Sequence, residues 1–343
     1  MSKIRTYLLI SFGAASFLLG GCSGASKTEA ETAEESAVVE YSCISHPESE
    51  NKIYVILKNY HGAYWEKVIN GITEAAAEMD EGVYLSGIDN ETDISGQIGL
   101  MDEAVKQGAD GILLAPANSN SLMDSCKNIR DKDIPLVLID SSINSSEFDV
   151  CYMTDNMDAG EMAAKKMLEQ LYDAGNSPLD PLEVGIMLSS DTSQAMVNRV
   201  SGFLDYWTNY APEQWDVAQD IPINGGSIKK AQADAGKLLK ENGNIKGIFG
   251  CNNTSTVGIV NTLLEEERTD VTLVGFDLAD ETRELILNPD YRAVTVLQKQ
   301  DQMGYLGMLS LDSFIKGEKS EQKYFDTGVT MVDSEYLMEK DSP

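Results

Sequence analysis

Histidine is almost missing from this sequence: 343 residues contain two, His46 and His61. That scarcity argues against imidazole acid–base chemistry and His-rich metal sites. Basic residues are few as well, 26 Lys and Arg against 56 Asp and Glu, for a formal net charge of -30. Nucleic-acid binding depends on neutralising phosphates with Lys and Arg, so no nucleic-acid partner is expected. Cys43, Cys126, Cys151 and Cys251 show no C-x-x-C spacing, which weakens zinc and thioredoxin-like readings and leaves three disulfide pairings open. No G-x-S-x-G elbow, Walker loop or H-E-x-x-H is present, so an enzyme is disfavoured. The run Asp89-Asn90-Glu91-Thr92-Asp93 has oxygen ligands at alternate positions, but Ile94 and Leu100 stand where a calcium loop needs Gly and Glu. It reads as a solvated loop, and neither metal nor cofactor is expected.

What is present is a globular composition, 42% apolar and 24% charged, long enough for about two domains. Lys3 and Arg5 precede an apolar run from Tyr7 to Leu19. That run is too short for a bilayer-spanning helix of about 20 residues and suits an export signal. Leu19-Gly20-Gly21-Cys22 then resembles the bacterial lipobox, which implies cleavage after residue 21 and a lipid on Cys22. Residues 22–50 hold the lipidated cysteine and an acidic stretch with seven glutamates against the single Lys27. Such a segment cannot bury enough apolar surface to offset its ordering entropy. It reads as a flexible tether to a body beginning near Lys52, on the extracytoplasmic face of the membrane.

From residue 53 short apolar runs alternate with amphipathic stretches of helical length. Ile53–Leu57, Val83–Ile88, Gly111–Ala115 and Pro135–Ile139 read as strands, with helices over Tyr64–Met79, Gly96–Gln107 and Ser121–Asp131. The pattern restarts at Val150–Met153 and continues through Glu183–Leu188, Val217–Ile221, Lys246–Phe249 and Val271–Phe276. Near-continuous apolar strands followed by helices mark parallel sheets covered on both faces. The expected class is α/β, with two doubly wound, Rossmann-like lobes whose ligands sit beyond the carboxyl ends of the strands. Several conspicuous residues fall there: Tyr60, Tyr64 and Trp65 after the first strand, then Asp140, Asn252, Asp277 and Gln298, with Arg199 on a helix. Aromatic faces combined with planar polar groups match a polyhydroxylated ligand.

Eight segments resemble, in order, the type I periplasmic binding proteins of the ribose- and galactose-binding kind. They are YWEKVINGITEAA, GADGILLAPANSNSL, PLVLIDSS, TDNMDAGEMAAKKML, NRVSGFL, GIFGCNNTSTVG, VTLVGFD and AVTVLQKQDQMGYLG. The resemblance implies a venus-flytrap fold with a three-crossover hinge, crossing near Thr154–Asp155, Gln298–Lys299 and Gly328. One lobe would comprise 51–154 plus 299–327, the other 155–298 plus 328–338. It also implies a monomer that binds a monosaccharide or related polyol and delivers it to the permease of an ABC importer. Carried over, the ligand-binding positions are Tyr64, Trp65, Asp140, Arg199, Asn252, Asp277 and Gln298. Two departures stand out. Gly62-Ala63 replaces a frequent Asn-Pro, and Ser141 replaces an arginine, which removes a bidentate contact. A sensor that passes a sugar-like or quorum signal to a membrane kinase or chemoreceptor would use the same cleft.

Overall fold

The computed structural model describes residues 40–341, so the signal, the lipobox and most of the tether lie outside it. The first lobe is built on β2 (Lys52–Leu57), whose IYVIL stretch is wholly buried. Alternate side chains leave a strand on opposite faces, and β2 uses both. Ile53, Val55 and Leu57 enter one core with α1 (Ala63–Ala76) and α9 (Gln300–Ile315). Tyr54 and Ile56 enter a second core with α2 (Ile94–Lys106) and α3 (Met123–Arg130). With β1 (Ser42–Ser45), β3 (Gly82–Gly87), β4 (Gly111–Leu114), β5 (Leu136–Ile139), β6 (Val150–Met153) and β12 (Tyr324–Asp326), the sheet runs β1-β3-β2-β4-β5-β6-β12. Only β1 is antiparallel. Its place at the edge, inside the stretch expected as tether, corrects that boundary: Tyr41 packs edge-on against Tyr54 and donates to the Leu100 carbonyl at 2.8 Å.

The second lobe repeats the plan with β7 (Leu182–Met187), β8 (Trp215–Val217), β9 (Ile245–Gly250), β10 (Thr272–Phe276), β11 (Ala293–Gln298) and β13 (Val329–Val332), in the order β13-β11-β10-β9-β7-β8. Here β13 is the antiparallel edge. Helices α4 (Asn156–Asp173) and α5 (Gln194–Tyr210) cover one face, α6 (Ile228–Glu241), α7 (Asn253–Glu265) and α8 (Asp280–Leu287) the other. Strand β8 lies earlier than the expected Val217–Ile221, because the fully buried Trp215 docks opposite Leu182 and the pairing ends at Val217. Helix α8 has no counterpart among the helices expected from the sequence. The chain passes between the sheets after β6, after β11 and between β12 and β13, and it closes with α10 (Ser334–Lys340).

Close approach of α4 and α5 depends on two glycines. A Cβ on Gly160 would collide with the carbonyl oxygen of Arg199, and one on Gly202 with that of Met157. Among the described residues no helix is long and apolar enough to cross a membrane. Cys43 is exposed, while Cys126, Cys151 and Cys251 are buried free thiols.

Candidate functional site

The carboxyl ends of β2 and β5 lie near each other in the first sheet, and the residues that follow them meet. Lys58 Nζ sits 2.5 Å from Asp140 Oδ2, with both side chains buried. Tyr64, on the first turn of α1, donates its hydroxyl to Asp140 Oδ1 at 2.5 Å, and Ser141 Oγ donates to Oδ2 at 3.0 Å. Burial alone would raise the Asp140 pKa. The Lys58 charge and hydrogen bond, the Tyr64 hydroxyl and the more distant Arg199 outweigh it and hold the carboxyl below its ordinary value. Burial beside this carboxylate pushes the Tyr64 phenol well up, so it stays a donor. Trp65 meets Tyr64 edge to face, 5.0 Å between centroids and 79° between planes. Gly62 caps α1 with φ 91°, a conformation that L residues avoid, and so turns the chain into this helix.

The second lobe answers from β10, β11 and α5. Arg199 is 1% exposed. Its Nε donates to Asn156 Oδ1 at 2.7 Å, one terminal nitrogen to the Cys251 carbonyl at 2.8 Å and the other to Gln298 Oε1 at 2.5 Å. The guanidinium lies 4.0 Å from the centroid of Phe276. Gln298, the last residue of β11, also accepts from Thr154 Oγ1 at 2.9 Å and donates from Nε2 to Asp277 at 3.1 Å. Gln300 donates to the same carboxylate at 2.8 Å. Burial pushes Asp277 up to about 6, against the opposing pull of Arg199 and the Gln298 and Gln300 amides. Asn252 caps α7: its Oδ1 accepts from the Ser255 backbone N–H and, at 2.6 Å, from Ser255 Oγ. The adjoining Asn253 is buried, and its Nδ2 has no partner.

Tyr64, Trp65, Asp140, Arg199, Asn252, Asp277 and Gln298 all line one cavity between the lobes, which encloses about 410 Å³ of non-atom space, open solvent included. Tyr60 is not in its lining and packs against the first-lobe core. His61 stands at the rim, exposed, with Nε2 3.3 Å from Asp89 Oδ1. Asn253, which follows the same strand end as Asn252, is also in the lining, together with residues that sequence reasoning missed: Lys58, Asn59, Glu91, Ser189, Met196 and Thr254. Lys58 was detectable, since a lysine directly after a wholly apolar strand occupies the same place as Asp140 after β5. It supplies the cation that Ser141 lacks. Glu91 corrects the reading of residues 89–93 as a solvated loop: it is 8% exposed and accepts from Ser189 Oγ of the other lobe at 3.0 Å. Further bonds join the lobes, from the Gln194 N–H to Ser119 Oγ at 2.9 Å and between Ser141 Oγ and Ser193 Oγ at 3.2 Å. The lobes are closed on each other.

Two largely parallel sheets flanked by helices, three chain crossings and a buried polar cavity between the lobes define a cleft-binding protein. Residues 53–319 match the model of the periplasmic binding protein domain, and the chain belongs to that family. It is a binding protein, not an enzyme. A D-apiose import binding protein of Actinobacillus succinogenes is 26% identical over 288 residues, 84% of this chain and 86% of that one. The ribose import binding protein RbsB of Escherichia coli is 21% identical over 80% of this chain and 88% of its own length. Among solved structures, an ABC transporter solute binding protein from Agrobacterium vitis with bound D-fucose superposes with a TM-score of 0.78 at 26% identity, covering 85% of this chain and 98% of that one. A carbohydrate transporter solute binding protein from Agrobacterium radiobacter in complex with D-arabinose gives 0.79 at 26% identity, with 85% and 97% covered.

Proposed function

We propose that this chain is the extracytoplasmic solute-binding component of an ABC importer, holding a monosaccharide or related polyol between its lobes. The observation that carries the reading is the composition of the cavity wall, where carboxylates, a guanidinium and amides surround two aromatic rings. A sugar hydroxyl donates and accepts at once, and such a wall offers both functions. Asp277 and the remaining lone pair of Asp140 accept, Arg199, Lys58 and Asn252 donate, and Trp65 with Tyr64 faces the C–H surface of the ring. Gln298 contacts Arg199, Asp277 and Thr154 at a chain crossing. Ligand contacts to both lobes bias the open–closed equilibrium towards closure.

The experiment is a thermal-shift panel of pentoses, hexoses, polyols and quorum furanosides, since a ligand that binds only the folded state raises its apparent stability. A rise with at least one sugar or polyol is expected. No response to any of them, with a clear response to an amino acid, rejects the reading. The finer assignments are part of the same proposal: a lipid anchor on Cys22, residence on the outer face of the membrane, docking to permease subunits, and a monomeric state. Mass spectrometry of the mature N-terminus tests the anchor, and light scattering tests the monomer.

A further inference from the structure

The cavity holds a charge imbalance that a neutral sugar leaves unresolved. Three carboxylates line it, Asp140, Asp277 and Glu91, with two cations, Lys58 and Arg199, and all five are less than 9% exposed. Lys58 is committed to Asp140. Arg199 points its bonded N–H groups at neutral oxygens of Asn156, Cys251 and Gln298. Among the described residues no Lys, Arg or His lies within ion-pair distance of Glu91, and His61 at the rim pairs with Asp89 instead. A buried charge without a partner costs several kcal/mol. The second lobe reaches over Glu91, where a Cβ on Gly226 would make ordinary van der Waals contact, 3.5 Å from the carboxyl carbon. An independent observation comes from the same cavity: the buried Nδ2 of Asn253 lacks an acceptor. Glu91 and Asn253 together suit a ligand that carries both a positive charge and an oxygen acceptor, which a bare cation does not.

We propose that the cleft selects an aminated sugar or polyol, with Glu91 as the residue that recognises its ammonium group. This rests on the sugar reading above and narrows it. Burial raises the Glu91 pKa, with Lys58 opposing and Asp140 adding to the rise. A ligand ammonium restores the ionised form without proton uptake. With a neutral ligand the same closure leaves Glu91 to be neutralised by a proton. The charged and titratable groups around it are Lys58 beyond β2, Asp140 beyond β5, Arg199 on α5, Asp277 beyond β10, and His61 with Asp89 at the rim.

Isothermal titration of the mature protein at pH 7 with D-glucosamine, D-galactosamine, D-mannosamine and 1-amino-1-deoxy-polyols tests this, each beside its hydroxyl parent and N-acetyl form. At least one amine is expected to bind about tenfold or more tightly than its parent, the scale of one charge-assisted hydrogen bond. Glu91→Gln is expected to abolish that preference, so that each amine and its parent bind within a few-fold of each other, and Ser189→Ala, which keeps the carboxylate, to retain it. If Glu91→Gln does not fold, the wild type still decides, because its preference must fade as pH rises above the amine's own pKa. Parents that bind as tightly as every amine overturn the inference and leave the sugar reading standing. If neither parents nor amines bind, the inference falls and the thermal-shift panel alone decides the sugar reading.

Discussion

Asp140 and Asp277 occupy matching places in the two lobes. Each follows a buried parallel strand, β5 or β10, each has a left-handed backbone with φ of 67° or 65°, and each faces the same cavity. Aspartate is among the few residues that tolerate this conformation. Their charges are nonetheless handled in opposite ways. A lysine ammonium at 2.5 Å holds Asp140 ionised and low. Asp277 receives amide N–H groups and feels the pull of Arg199 without pairing to it, so burial prevails and its pKa rises. Position past a strand end therefore decides that a side chain reaches the cleft, while its neighbours decide its protonation state. The first-lobe half is a committed ion pair, and the second-lobe half is poised to change with ligand or pH.

The largest test of this contrast removes the lysine. Lys58→Ala leaves Asp140 as an uncompensated buried charge and should cost about 3–5 kcal/mol by denaturant unfolding, whereas Lys58→Met combined with Asp140→Asn should recover much of that. A single variant as stable as the double would break the pairing argument. Next comes pH. Because the folded pKa of Asp277 lies above the ordinary value, its contribution is fully present below about pH 4 and is lost as pH rises through about 6. The loss is on the order of 3 kcal/mol, and Asp277→Asn should flatten it. Asp140 has the opposite sign: its stabilising contribution is present above the ordinary carboxylate range and lost as pH falls through its depressed folded value. Asp140→Asn should therefore abolish the acidic-limb loss, on top of the cost of leaving Lys58 unpaired, and melting curves from pH 3 to 8 separate the two.

Arg199→Ala should weaken sugar binding at least about tenfold, and Arg199→Lys should not restore it, since a point charge cannot bond Asn156, Cys251 and Gln298 together. Titration calorimetry reads this directly. The smallest effect is expected at Asn252, whose side chain is occupied as the cap of α7. Asn252→Ala should cost about 1 kcal/mol of stability and change affinity less than Arg199→Ala. A larger binding loss at Asn252 would mean that it is chiefly a ligand contact.

Much of the fold was readable because its signals are local. Buried strands such as IYVIL, GILLA and PLVLI are short apolar runs, and the amphipathic helices between them fix the alternation that makes a parallel sheet. The edge strands were not readable. SCIS in β1 and YFD in β12 carry no apolar run, and they are strands only because β3 and β6 offer them an open edge. Likewise, a residue just past a strand end could be nominated from sequence, but one brought in by a loop could not.

The order of elements, the two-lobe plan and the ring of strand-end side chains are thus properties of the sequence alone, because each depends on neighbours a few positions away. Which group each buried charge meets is decided by the tertiary structure. Lys58 reaches Ser141 across 83 residues of chain, Glu91 reaches Ser189 across 98, and Arg199 reaches Gln298 across 99. Desolvation and pairing act through space, and they exist only once both lobes have closed over the same cavity.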